Sequence, residues 1–464
     1  MSAFVLVFAI NLIIASPFDF RFWRTSLALV SVHRWNEPAA MTWSGELHLL
    51  LPFLIGSALF LLRLLTPADK DRVLVARWGF LLSAYGFSIL SMQSGLVRSD
   101  TNHIIFGVFP FVFFSGVILF SFTSRTASVV AAVCAVGASF LLVDAAPIFQ
   151  PAGIRYRLAR MVHPITSCPA GYVEYERVCF PGDFGMTLQS TVNYLQQHSS
   201  ENQPVLIFPY QYMFAVAAHR DVAGSVEQSF LANGTYLSQF DIEGMKRGRA
   251  PVGLFFRDAA PSEFASATLS LPIDDVSNFT RTPEVWFWIF RHYQAAQPIS
   301  PGEVGLQRDE TRAATITMQP YPLGLPMRSY AVEARTSSID LGAPQWPASG
   351  ADFLRLRLNV RYGPLWKLRK PEKLQLEITR ADGSRAVRTF VVEPNRATDL
   401  WFYPWDEADL TRYFDADESR WRGSYRPAIT NLRLAITPLD WFSEKASSVT
   451  VESADAVRVS LSRR

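Results

Sequence analysis

Arg98-Ser99-Asp100-Thr101-Asn102-His103 stands between Leu90-Ser91-Met92-Gln93-Ser94-Gly95 and Ile104-Ile105-Phe106-Gly107-Val108-Phe109, and whether those flanks cross a bilayer decides the fold class. Three ionisable side chains within so short a stretch are costly at a membrane edge unless paired, hydrated or used, which makes function the first hypothesis for them. The plainer alternative is an interfacial loop in which Arg98 and Asp100 pair with each other and His103 lies among lipid headgroups.

The flanks belong to a series of apolar stretches at roughly 2–16, 46–66, 74–96, 104–122 and 127–145, each weighed against the about 20 residues that a spanning helix needs. Residues 1–145 are therefore expected to form a membrane region with about five transmembrane helices. The first stretch begins almost at Met1, with no basic segment before it and no small-residue cleavage site ahead of Pro17, so it does not read as a signal peptide. An open reading is that the chain begins inside a longer frame.

Composition changes after residue 145, from Leu, Phe, Val, Ala and Ile to a globular mixture with Pro-rich breaks. A length of 464 residues predicts about three units. The net charge of +3 comes from 44 basic and 41 acidic residues with no basic stripe interleaved with aromatics, which argues against a nucleic-acid partner.

Cys168 and Cys179 bracket a polar loop with no further metal ligands nearby, and a disulfide is favoured over a zinc site. A disulfide places the soluble part in an oxidising compartment, the periplasm. The predicted inner loop at 63–77 carries Arg63, Lys70, Arg72 and Arg77 in agreement, although Arg21, Arg24 and Arg34 weaken the charge bias. These readings together predict a multi-pass protein of the bacterial inner membrane. In the loop at 17–45, Phe18, Phe20, Phe22, Trp23 and Trp35 mingle with Asp19, Arg21, Arg24 and Arg34. That mixture fits either a helix lying on the membrane surface or an aromatic belt.

Residues 146–300 take on an α/β rhythm. Helical periodicity at Met186 to Ser199, Tyr212 to His219 and Tyr236 to Lys246 alternates with strands at Pro204 to Phe208 and Val252 to Phe256, predicting a small periplasmic α/β domain. Residues 301–350, with Pro320, Pro322, Pro326, Pro344 and Pro347, read as a Pro-rich linker with an edge strand near Tyr330. Beyond them, Phe353-Leu354-Arg355-Leu356-Arg357-Leu358-Asn359-Val360 alternates apolar and polar residues, as do Leu374 to Ile378 and Leu432 to Ile436, and Asp382-Gly383 marks a hairpin. Residues 351–464 are expected to form a jelly-roll-like β-sandwich.

Several patterns carry no chemistry. Asp183-Phe184-Gly185 lacks the other parts of a kinase, and Asp415-Ala416-Asp417-Glu418 lacks the spacing of a calcium loop. No cofactor is identified, and a divalent cation has no ligand set to support it. The aromatics of the terminal part read mainly as sandwich core. Trp405 and Trp421 stay as candidate sugar-stacking residues because charged neighbours flank them.

The Arg-Ser-Asp-x-x-His loop in a multi-pass region, followed by Pro204-Val205-Leu206-Ile207-Phe208-Pro209-Tyr210, a helix and Val252-Gly253-Leu254-Phe255-Phe256, resembles the C-terminal part of bacterial GT-C membrane glycosyltransferases over about residues 1–300. The resemblance implies sugar transfer from a polyprenyl-phosphate donor to an envelope glycan acceptor at the periplasmic membrane face. It also implies a catalytic acid in the first outer loop, where Asp19 stands in Phe-Asp-Phe surroundings and among fewer spans than the family has. From residue chemistry, Asp100 or Asp19 would act as general base, Arg98 would neutralise a phosphate leaving group, and His103 would assist as a donor. The rival expectation is a non-enzymatic, membrane-anchored glycan-binding or scaffold protein.

Overall fold

Leu, Ile and Phe at helical spacing wind Leu51–Leu65 into α1 and Val73–Arg98 into α2. The structure is a computed structural model. It describes residues 50–65 and 73–98, several positions between 108 and 129, most of 172–461, and Arg24, Thr25, Ala28 and Val32. The chain divides into two units, one of Met1–Arg24 with Met41–Ile165, the other of Thr25–Ala40 with Thr166–Arg464.

In the first unit, Leu59 and Phe60 of α1, Leu81 of α2, and Phe111, Phe114 and Ile118 bury one another. Phe60 stacks on Tyr85 at 4.5 Å, and the Tyr85 hydroxyl donates to Ser57 Oγ at 3.0 Å. Among the described residues no helix is long and apolar enough to cross a membrane. This corrects the expected multi-pass region, its transmembrane helices and the inner-membrane location. Helix α1 has 15 residues, about 22 Å against a hydrocarbon core of about 30 Å, and the apolar run of α2 is interrupted by Arg77, Tyr85, Ser88 and Gln93. Apolar residues at helical spacing also build helix-to-helix cores, and part of theirs does so here. The expected spans at 2–16 and, but for Val129, 127–145 lie outside the described residues, as does part of 104–122.

The second unit opens with a hairpin of β1 (Tyr172–Tyr175) and β2 (Val178–Pro181), followed by α3 (Gly182–His198), β3 (Leu206–Phe208), α4 (Met213–Ala217), α5 (Thr235–Gly248) and β4 (Val252–Phe256). Then come α6 (Asn278–Arg281), α7 (Pro283–His292), β5 (Tyr293–Ser300) and β6 (Glu303–Arg308). The sheet order is β3-β4-β6-β5, with β3 and β4 parallel and the other pairs antiparallel. All of β4 is buried because both sheet faces are covered. Leu254 and Phe256 meet α3, whereas Leu206, Phe208 and Phe255 share a core with α7. Cys179 lies on β2 opposite Glu174, whereas Cys168, and with it the expected bridge, lies outside the described residues.

Helix α7 has Pro at its first position, where the missing N–H costs nothing, and then Val285, Trp286, Phe287, Trp288, Ile289 and Phe290, all buried. A helix apolar on every side must be covered on every side. One cover is the α/β sheet and the other is a sheet of the sandwich.

The sandwich follows α8 (Arg312–Thr315). Its strands are β7 (Ile316–Pro322), β8 (Ser329–Ala331), β9 (Ser338–Gly342), β10 (Phe353–Tyr362), β11 (Lys370–Pro371), β12 (Leu374–Arg380), β13 (Arg385–Phe390), β14 (Ala397–Phe402), β15 (Ile429–Ile436), β16 (Ser443–Glu444) and β17 (Ala446–Leu461). One sheet runs β14-β10-β17-β7 with β8 also on β17, and the facing sheet runs β13-β12-β15-β9. Leu354, Leu356, Leu358 and Val360 meet Leu374, Leu376, Ile378, Leu432 and Leu434 between them. Gly383, at φ +81°, makes the turn from β12 to β13.

The stretch 301–350 is not the expected linker. It supplies β6 to the α/β sheet and β7 and β9 to the two sheets of the sandwich, and the contacts join all of it into one unit. Its prolines misled the reading: Pro320 and Pro322 lie on the edge strand β7, where a missing N–H is tolerated. Thr25, Ala28 and Val32 of the 17–45 loop also belong to this unit. Val32 packs with Leu237, Val276 and Val391, and Thr25 Oγ1 lies 3.1 Å from the Tyr236 hydroxyl. The aromatic residues on which the membrane-surface reading of this loop rests lie outside the described residues.

Candidate functional site

The register of β10 and β14 sets Arg355 opposite Trp401 and Arg357 opposite Asp399. These four side chains project from the outer face of the sheet, beyond the point where α7 covers it. They form one wall of a cleft of about 590 Å³. Its other walls are α7, through Glu284, Phe287, Trp288, Arg291 and His292, and the first turns of α5, through Thr235, Ser238 and Gln239. Gly234 leads into α5 at φ +80°, a conformation that suits glycine, and itself lines the cleft.

Arg355 Nη2 donates to Asp399 Oδ2 at 3.1 Å, and Arg357 Nη1 lies 3.9 Å from the same oxygen. Arg357 Nε donates to Glu452 at 3.0 Å. The Arg355 guanidinium stands 5.4 Å from the centre of the half-buried Trp401 ring, which also meets Phe287 edge-on at 4.7 Å and Phe353 at 6.5 Å. Across the cleft, Gln239 Nε2 reaches Glu284 Oε2 at 3.5 Å. Loss of solvent between the walls raises the Glu284 carboxyl above the usual carboxylate range, and the charge of Asp399 adds to the rise.

Arg291 and His292 close the last turn of α7, where cations complement the helix dipole. His292 stacks on Trp288 at 4.5 Å, and its Nδ1 donates to the Trp288 carbonyl at 2.8 Å, since a carbonyl oxygen can only accept. Arg291 Nη2 meets Met318 Sδ at 3.0 Å, while its Nε is buried with no hydrogen-bond partner among the described residues. Trp288 Nε1 is in the same position. Among the described residues the walls carry five cationic side chains, Lys246, Arg281, Arg291, Arg355 and Arg357, against three carboxylates, Glu284, Glu393 and Asp399.

Of the residues expected from sequence, none that the structure describes lines this cleft. Asp19, Asp100 and His103 lie outside the described residues, and Arg98 is the last residue of α2. Trp421 is buried, donates from Nε1 to the Asp415 carbonyl at 2.9 Å and packs against Phe290. Trp405 is 6% exposed, between Arg380 and Arg426 at 5.6 and 5.8 Å, and has no free face for a sugar. Asp352, Arg426, Tyr403 and Tyr413 tie that region together: Arg426 donates to Asp352 at 2.6 Å and to the Tyr403 hydroxyl at 3.0 Å. Among the described residues no group of three or more His, Cys, Asp or Glu could hold a metal ion.

Arg291, Arg355, Asp399 and Trp401 were not expected as a site. Two signals pointed toward them: the alternation in Phe353–Tyr362 sets Arg355 and Arg357 on one row, and Thr-Pro-Glu before six apolar residues and Arg-His marks a buried helix with a basic end. No family model, curated protein or solved structure matches the chain.

Proposed function

We propose that this protein binds a glycan in the cleft between α7, α5 and the β10–β14 edge. The observation that carries the reading is the composition of one wall: Trp401, with part of its ring open, framed by Arg355 and Asp399. A sugar ring has a C–H face that stacks on an aromatic plane and hydroxyls that pair with fixed donors and acceptors. Trp401 supplies the plane, while Arg355, Asp399, Gln239 and Glu284 supply the polar partners at its edge. A mainly polar wall set with a few aromatics also fits an oligosaccharide better than an apolar ligand. Asp19, Asp100 and His103, on which the transferase expectation depends, lie outside the described residues, and the binding reading is the one the described cleft supports best.

The test is calorimetric titration of the purified chain with a panel of neutral and acidic oligosaccharides, beside Trp401→Ala and Gln239→Ala. Trp401→Ala is expected to weaken binding at least about tenfold, ~1.4 kcal/mol. Gln239→Ala, at an exposed position, reads the same cleft without disturbing the core. Unchanged affinity in both variants would refute the assignment.

A further inference from the structure

We infer that the cleft selects acidic glycans, with a sugar-borne oxyanion, a uronate carboxylate or a phosphate, seated on Arg291. The inference rests on the glycan reading above and deepens it.

Arg291 differs from the two arginines on the opposite wall. Arg355 is bridged to Asp399 and Arg357 to Glu452, so each of those charges is balanced within the protein. Arg291 has no carboxylate within 4.0 Å among the described residues, and the one hydrogen bond of its guanidinium goes to the soft sulfur of Met318. Its Nε is sealed from solvent with no hydrogen-bond partner among the described residues. A thioether is a weak acceptor, and a guanidinium partly withdrawn from water without an anion is unfavourable. An oxyanion in the cleft would supply the missing acceptors, and the planar fork of arginine matches carboxylate and phosphate oxygens in pairs.

The surroundings favour the same sign of ligand. Among the described residues cations outnumber carboxylates on the cleft walls by five to three, and two of the carboxylates are engaged by other groups, Glu284 by Gln239 and Asp399 by Arg355. Trp288 forms the floor beside Arg291, with an indole N–H that also has no partner among the described residues. The aromatic platform at Trp401 and the cation at Arg291 thus divide the task, one for the sugar ring and one for its charge.

The experiment titrates the full chain with three ligands: a hexamer of galacturonic acid, its carboxyl-reduced neutral counterpart, and a phosphate-bearing oligomannose. The expected result is that at least one acidic ligand binds about tenfold or more tightly than the neutral one. Arg291→Gln should abolish that ratio and Arg291→Lys should retain part of it, with thermal melting confirming that both variants fold. Preference for the hexuronate identifies a uronate, and preference for the oligomannose identifies a phosphate. Equal affinity for acidic and neutral ligands overturns the charge selection and leaves the glycan reading standing, whereas no binding of any of the three overturns both. A preference that survives Arg291→Gln in full overturns the assignment to Arg291.

Discussion

Strand β10 presents two faces to two different environments. On the inner face, Leu354, Leu356, Leu358 and Val360 pack into the mainly aliphatic core between the two sheets and are sealed from water. On the outer face, Phe353 lies under α7, 5.3 Å from Phe287 and 5.2 Å from Tyr413, and one step along the row Arg355 and Arg357 stand in the open cleft. The site is therefore the place where a cover ends: α7 shields the aromatic start of the row, and the strand continues past it with charged residues whose partners lie on β14 and β17.

The sharpest way to break this comparison is to remove the cover. The fragment 351–464 lacks β7, β9 and α7, so it would expose Phe353, Val457 and Val459 and leave two sheet edges unpaired. Expressed alone, it is expected to show no cooperative melting transition. A soluble fragment with a sharp transition would mean that the inner face alone specifies the sandwich.

A pair of substitutions on the same strand sharpens the contrast. Leu356→Ala leaves a cavity between the sheets and is expected to cost about 2–5 kcal/mol. Arg357→Ala, whose ion pairs are half-exposed, is expected to cost less than about 1 kcal/mol. Denaturant unfolding of both variants checks the difference, and comparable losses would mean that the outer row is as structural as the inner one.

The inner row was legible in the sequence because alternation is a local property, and the strands at Phe353, Leu374 and Leu432 lie where it placed them. The cover was not. Six successive apolar residues in α7 have no amphipathic period, so they say that the helix is buried without saying against what. Pro320 and Pro322 concealed an edge strand for the same local reason. The cleft was least legible of all, since its walls come from 233–246, 280–292 and 391–401 as well as β10. The apolar stretches of the first unit read as spans because a count of hydrophobic residues does not tell lipid from a neighbouring helix. Phe60, Leu81 and Phe111 show how such residues can serve each other.

The α/β sheet repeats the contrast between a sealed and an open face in a pair of carboxyls. Glu284 borders the cleft, whereas Glu303 is fully buried on β6, where Thr191 Oγ1 donates to it at 2.9 Å and burial pushes its pKa up to about 7. A folded pKa above the ordinary 4.5 means that the native state holds the proton more tightly than the unfolded chain. The resulting stability is complete below about pH 4.5 and is lost as pH rises through about 7. The full span of that loss is on the order of 3 kcal/mol. Glu303→Gln keeps an acceptor for Thr191 and places an amide beside Ser300, yet has no proton to lose. The variant should melt close to the parent at pH 4 and above it at pH 8, with a flatter profile between them. Parallel melting curves for the two proteins across that range would show that Glu303 is already ionised in the native state, and the sealed face would then hold a charge.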